Sequence, residues 1–261
     1  MTPSRGRPEG LKRMAASARI MATNPIEIIV WLDACDPVLT ENLHVCREEK
    51  IMYLIGPRSV IHSSRWDRCL PLATGDILAH GNDDIVFRTP GWDRIVEDFF
   101  AKSEDKLWLV GGDDAYLRSE TLAPHPIVHR RWLDALGYII PPYFDGEYGD
   151  TWVSEIATRI ERLKFLPYVC EHLHFSRTDW LVCPKCGRDD ANASVAGGTY
   201  CNGCGYLWGK SRMDETARAY LARSQAQNPA EVFAYLEPDR IRDAEKLKAL
   251  LGTPWRSNSK S

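Results

Sequence analysis

Long apolar runs are missing from this 261-residue chain: nowhere does it reach the roughly 20 consecutive apolar residues that a membrane helix needs. The opening stretch, Met1 to Arg13, has basic residues but no apolar segment behind them, so it does not read as a secretory leader. An excess of either charge is also missing. Lys and Arg number 33 against 36 Asp and Glu, a net charge of -3, so composition gives no support to a basic coat for nucleic acid. Internal repeats and low-complexity segments are absent too. These absences place the chain in a reducing cytoplasm, where disulfides are rare, and its 8 cysteines need another explanation.

What is present is ordinary globular composition, 44% hydrophobic and 26% charged, in a chain long enough for one sizeable core and a small appendage. Pro8 opens a helix with Leu11, Met14, Ala15 and Ala18 at helical spacing, and Asn24-Pro25 stops it. Ile26 to Leu32 reads as a buried strand ending at Asp33, and Ile51 to Ile55 as a second. Ile77-Leu78-Ala79 and Ile85-Val86-Phe87 flank a polar cluster. Ile95 to Phe100 lies in a helix, and Lys106 to Val110 is a strand closed by Gly111-Gly112. Strands alternating with helices over about the first 140 residues predict an α/β fold with a largely parallel sheet. Trp152, Val153, Ile156, Ala157, Ile160 and Leu163 predict an amphipathic helix from near Asp150. The chain from Met213 reads as helical, with Ile241, Ala244, Leu247 and Leu251 forming the last apolar stripe. Such a sheet normally opens with a strand, yet Met1-Thr2-Pro3-Ser4 has loop composition. The expectation is a start that lies upstream, or a sheet without its first strand and so with an unpaired edge.

The polar cluster is Gly81-Asn82-Asp83-Asp84, two adjacent carboxylates beside a short strand. Mg²⁺ and Mn²⁺ take oxygen ligands and bridge to phosphates, and open α/β sheets bind ligands at strand ends. The same four residues are also good turn chemistry, and the cluster alone does not decide between the two. Taken in order, Pro3-Ser4-Arg5-Gly6-Arg7-Pro8, Val30-Trp31-Leu32-Asp33, Ala73-Thr74-Gly75-Asp76 and Asn82-Asp83-Asp84 resemble the family 2 glycosyltransferases, most closely a phage and bacterial branch. The resemblance runs from about Pro3 to Ser176 and resumes at Gly209-Lys210. It implies a GT-A-like fold, a nucleotide-sugar donor, a divalent cation (Mn²⁺ or Mg²⁺) and inversion at the transferred sugar. It also implies a cytoplasmic enzyme, in the host cytoplasm if phage-encoded. Carried over by position, Pro3, Arg5 and Arg7 lie beside the donor nucleotide, Asp33 contacts base or ribose, and Asp83 and Asp84 take the metal-binding role. The motif is Asn-Asp-Asp where the family has Asp-x-Asp, so which carboxylate meets the ion stays open.

Sugar transfer also needs a base for the acceptor proton. Asp150 stands where the family carries one, with Glu147 and Asp145 as substitutes; Asp150 as a plain helix N-cap is the alternative. His172 and His174 alternate on a strand and so share a face. One of them is the candidate third metal ligand, and a hydrogen-bonded histidine pair at a strand edge is the alternative. His125 to Trp132 reads as acceptor-side wall, with capping as the alternative for His129.

Cys183-Pro184-Lys185-Cys186 and Cys201-Asn202-Gly203-Cys204 are paired CxxC knuckles at zinc-ribbon spacing. Four thiolates close the site, so the zinc is structural. The division is a GT-A-like core over 1–177, a zinc-ribbon insertion over 178–208 and a helical extension over 209–261. Cys35, Cys46, Cys69 and Cys170 read as buried free thiols. For the acceptor, the phage-like motifs and the ribbon point to a hydroxyl of 5-hydroxymethylcytosine in DNA, with Trp132, Tyr143, Phe144 and Trp152 as candidate stacking groups for a flipped base and a core role as the alternative for at least half of them. A cell-surface saccharide or its lipid-linked precursor is the rival. Two other classes stay in view. A nucleotidyltransferase would want a glycine-rich phosphate loop, which Ser4 to Pro8 is not. A non-catalytic zinc-ribbon nucleic-acid binder would have no need of the acidic residues.

Overall fold

The computed structural model describes residues 1–58, 65–144, 146–174, 192–195, 198–201, 207–208 and 215–255. Its first sheet is parallel, with order β1 (Thr2–Ser4), β2 (Ile29–Asp33), β3 (Met52–Gly56). The opening strand is therefore present, contrary to the expectation that the sheet lacks it. Thr2, Pro3 and Ser4 pair with Val30, Trp31 and Leu32, and all three are buried. Composition hid it because three residues show no period-2 pattern and Pro3 has no N–H to give the ladder. Between these strands run α1 (Pro8–Met21), which buries the predicted Leu11, Met14, Ala15 and Ala18, and α2 (Leu39–Glu48).

The second sheet is mixed. Its strands, β4 (Ile77–Ala79), β5 (Ile85–Phe87), β6 (Leu109–Asp113), β7 (Ile127–His129) and β8 (Leu163–His172), lie in the order β4-β7-β6-β8-β5. Only β6 and β8 run parallel; the other pairs are antiparallel. The sheets are joined through Met1, whose backbone nitrogen donates to Ala79 O at 2.9 Å and whose carbonyl accepts from Gly81 N at 2.9 Å. The glycines expected to close β6 lie inside it. A Cβ on Gly112 would sit 2.4 Å from the Tyr168 ring, so glycine there lets an aromatic ring pack flat on the strand.

Helices α3 (Trp92–Lys102), α4 (Arg130–Leu136) and α5 (Gly149–Arg159) cover the sheets. Leu163, expected on the α5 stripe, begins β8 instead, because the chain reverses at Glu161 with φ 56°. The helical C-terminus comprises α6 (Glu215–Gln227), α7 (Pro229–Tyr235) and α8 (Glu237–Lys248). Ala244 and Leu247 of α8 join Trp132, Phe144 and Trp152 in one apolar cluster, so this extension shares the core. Ile241 is 44% exposed, while Arg240 and Asp243 are buried in its place. Among the described residues, no helix is long and apolar enough to cross a membrane.

Between the two CxxC pairs, β9 (Asn192–Val195) and β10 (Gly198–Cys201) form a hairpin, and β11 (Leu207–Trp208) adds to it. Cys183, Cys186 and Cys204 lie outside the described residues, and Cys201 is described only as the end of β10. Cys46, Cys69 and Cys170 are buried as expected; Cys35, in the turn after β2, is exposed.

Candidate functional site

The ends of β1 and β8, the β4–β5 loop and the starts of α5 and α6 surround a cavity of about 480 Å³. Pro3, Arg5, Arg7, Asp83, Asp84, Glu147, Asp150, His172 and His174 all line it. Of the other predicted residues, Asp145 lies outside the described residues. Asp33 sits behind the wall, buried, with Oδ2 3.7 Å from Arg5 Nη1. The turn that carries the arginines is held from below. Gly6, at φ 72°, donates its N–H to both carboxylate oxygens of buried Asp36, at 3.2 and 3.0 Å. A left-handed φ there suits glycine.

The two central carboxylates are not equivalent. Asp83 is engaged on both oxygens: Ser4 Oγ donates to Oδ2 at 2.8 Å and Arg7 Nη1 to Oδ1 at 3.3 Å. Asp84 has Arg7 Nη1 at 3.7 Å from Oδ2 and His172 Nε2 at 3.5 Å from Oδ1. Its buried Oδ1 has no hydrogen-bond partner among the described residues. Burial pushes the Asp83 carboxyl up to about 6, against the opposing charge of Arg7. Burial acts upward on Asp84 as well, but His172, Arg7 and His125 outweigh it and hold that carboxyl below the ordinary range. His172 answers in kind: burial works to lower it, yet Asp84, Asp114 and Asp150 hold it above the usual imidazole value. Burial, and then His172, push His174 down to about 4. Burial and its histidine neighbours likewise depress His125.

Asp150 is not the helix N-cap. Tyr148 occupies that position at φ 77°, and Asp150 lies in the first turn, its Oδ1 accepting from Thr151 N at 2.8 Å. Burial raises its carboxyl, with the Thr151 hydrogen bond opposing. Glu147 is exposed. His129 does cap: its Nδ1 accepts from Arg131 N at 3.2 Å at the start of α4. The segment read as acceptor-side wall therefore divides, with His125 lining the cavity while His129 and Trp132 are buried outside its lining. The proposed stacking aromatics are also redistributed. Trp132, Phe144 and Trp152 are fully buried in the apolar cluster, Tyr143 packs against it, and none of the four lines the cavity.

Sequence reasoning missed His80, Tyr116, Tyr220 and Arg223. His80 directly precedes the acidic turn and packs tilted against Trp66, 4.0 Å between ring centroids, a pairing that local pattern could not show. Tyr116 stacks on His174 at 5.0 Å, held by a loop whose N–H groups Asp114 caps. Tyr220 and Arg223 come from α6, on the helical extension. Four of the 7 histidines thus line one cavity. Among the described residues, no three His, Cys, Asp or Glu side chains stand ready-closed around a metal position.

No protein-family model matches the chain, and no curated protein does. Solved structures do. The mannosyltransferase PcManGT from Pyrobaculum calidifontis, in complex with GDP-Man and Mn²⁺, superposes with a TM-score of 0.52 at 14% identity over 66% of this chain and 55% of that one. S. aureus TarS gives 0.52 at 12% identity over 65% of this chain and 36% of that one. The fold is shared. It is the α/β, GT-A-like architecture that the motifs imply. The TarS 1-349 structure matches at 0.51, 13% identity and 59% of its length, so the likeness lies within that portion of TarS. The chain spans about half or less of the full TarS and PcManGT chains.

Proposed function

We propose that the protein transfers a sugar from a nucleotide-sugar donor to an acceptor hydroxyl. The observation that carries this reading is the facing pair Asp84 and His172, 3.5 Å apart, in a cavity that also holds Arg5, Arg7 and Asp150. A divalent cation fits the pair: a buried carboxylate oxygen lacking a hydrogen-bond partner faces an imidazole, and Mn²⁺ accepts both donor types while Mg²⁺ prefers oxygen. Asp83, engaged by Ser4 and Arg7, fits a supporting role. Such a cation neutralises charge on the leaving diphosphate. Arg5 and Arg7 add cationic charge on the nucleotide side, where Pro3 gives an apolar wall. Asp150, raised by burial, is a better proton acceptor than an ordinary surface carboxylate and takes the proton of the attacking hydroxyl. Direct attack with Asp150 as base inverts the anomeric centre. The GDP-Man and Mn²⁺ bound to the Pyrobaculum enzyme support the same donor chemistry here.

Three narrower parts belong to the proposal. A structural zinc on Cys183, Cys186, Cys201 and Cys204 is supported by their spacing and by the β9–β10 hairpin between the two pairs. The acceptor is a hydroxyl of 5-hydroxymethylcytosine in phage DNA, supported by the motif resemblance and by Arg58, Arg65 and Arg223 on the cavity wall; the core placement of the four aromatics leaves stacking to Tyr116 or Tyr220. The reaction is cytoplasmic. The non-catalytic nucleic-acid-binding reading loses ground because acidic and histidine residues distant in sequence converge on one cavity. The test is a thermal-shift panel of sugar nucleotides with Mn²⁺, followed by donor hydrolysis without acceptor. At least one sugar nucleotide should raise the melting point in a concentration-dependent way. If none of them does, sugar transfer is refuted.

A further inference from the structure

We infer that His125 binds hydroxyl groups of the donor's sugar and so helps select which sugar the cavity accepts. The inference rests on the sugar-transfer reading above and assigns a role to a residue that reading leaves idle. His125 lines the cavity, is 7% exposed, and has no hydrogen-bond partner for either ring nitrogen among the described residues. A buried polar group without a partner is costly, so a histidine kept in this state calls for a partner that comes and goes. Its backbone is also stiff. Pro124 and Pro126 flank it, which fixes their own φ and biases His125 toward extended conformations. The Pro126 carbonyl is further tied by His80 N at 3.0 Å. The ring is therefore presented at a set position, edge-on to His172 at 4.7 Å between centroids and 78° between planes.

Chemistry narrows the partner. A neutral imidazole has one donor and one acceptor nitrogen. A phosphate oxygen can meet only the donor, and a metal ion only the acceptor. Sugar hydroxyls, which both donate and accept, meet both. Position agrees: His172 faces Asp84, the anchor assigned to the diphosphate side, and the sugar is bonded directly to that diphosphate. A group packed on His172 is thus placed against the first sugar ring. The sequence places His125 with the acceptor-side wall and gives no cue that it meets the donor sugar.

The experiment compares wild type with His125→Ala and His125→Asn by calorimetric titration. The probes are UDP-glucose, UDP-N-acetylglucosamine and GDP-mannose, each against its free nucleoside diphosphate, all with Mn²⁺, and Mn²⁺ alone. Sites built to hydrogen-bond a hydroxyl discriminate strongly against its absence. His125→Ala should therefore weaken the sugar nucleotide that binds wild type best by about tenfold or more. Affinity for the nucleoside diphosphate and for Mn²⁺ should not change, and Asn should recover part of the loss. Equal weakening of the sugar nucleotide and the bare diphosphate overturns the inference while leaving sugar transfer standing, as does unchanged sugar-nucleotide affinity or weakened Mn²⁺ binding. Wild type binding none of the three sugar nucleotides would overturn the inference together with the reading beneath it. Should the Ala variant fail to fold, the Asn variant carries the same comparison.

Discussion

Replacing Tyr138 by Phe removes one oxygen atom from the joint between α5 and the C-terminal helix α8. That hydroxyl donates to Asp243 Oδ2 and accepts from Trp152 Nε1 at 3.0 Å. All three residues are buried, Trp152 completely. Burial, then Asp243, holds the phenol far above its usual range, so it acts as a neutral donor throughout. A hydrogen bond to a charged acceptor contributes about 1.5–3 kcal/mol, and a buried donor left without a partner costs about 1–3 kcal/mol. Lys246 Nζ still serves the other oxygen of Asp243 at 2.8 Å, which limits the first of these. Tyr138→Phe should therefore destabilise by about 2–4 kcal/mol, and at roughly 2–4 °C per kcal/mol for a chain of this size the melting point falls by about 4–16 °C. Urea midpoints for Tyr138→Phe, Trp152→Phe and the double variant measure the effect. The two changes share one hydrogen bond, so their costs should fall short of additive by about 1 kcal/mol. A loss below about 0.5 kcal/mol for Tyr138→Phe, or strict additivity, would refute the argument that this joint holds α8 on α5.

Asp84→Ala should abolish transfer with the fold retained, and Asp83→Ala should weaken it severely by freeing Arg7 and Ser4; near-normal rates in both, or full activity in excess EDTA, would contradict the assigned roles. Protein purified without added zinc should contain one zinc per chain by elemental analysis, and a metal-free but fully folded protein would contradict the ribbon. Asp67, which accepts from Ile139 N at 3.3 Å, has its carboxyl pushed by burial up to about 7. Its folded value lies above its unfolded one, so the native state holds a proton that the unfolded chain has released; this contribution to stability is complete below about pH 4 and is lost as pH rises through about 7. Asp67→Asn should flatten that part of the profile, read as urea midpoints at pH 5 and pH 8, and an unchanged difference between the two would rule Asp67 out as its source.

Much of the architecture was legible because it rests on local periodicity. The α1 stripe and the two short strands flanking Asn82-Asp83-Asp84 lie where hydrophobic spacing puts them. What failed is decided by distant partners. Thr2–Ser4 becomes a strand only because Ile29–Asp33 lies beside it, Gly111-Gly112 continue a strand because Phe165 packs on the first and Tyr168 on the second, and Leu163 leaves its helix at a left-handed Glu161 that propensity gives no reason to expect. The same split runs through the site. Motif order for Arg7, Asp83, Asp84 and Asp150, and strand alternation for His172, picked residues that line one cavity, but burial decided the rest. Trp132 and Trp152 carry the same chemistry as a stacking platform and end in the core, while His80 and Tyr116, invisible as motifs, reach the wall through tertiary packing.

The helical extension belongs to the site as much as to the core. The chain leaves the cavity wall at His174 and returns to it at Thr216, whose hydroxyl donates to Arg5 O at 3.4 Å. Four residues later Tyr220 lines the cavity, and the Gly146 stretch that leads to Asp150 lies against Ser224. One helix thus touches both the turn that carries Arg5 and the loop that leads to Asp150. In sequence, both CxxC pairs fall between His174 and Thr216, two residues of the same cavity wall. The proposed zinc would then act on the cavity without lining it, by fixing where α6 begins and hence how closely Thr216 and Tyr220 approach the Arg5 turn.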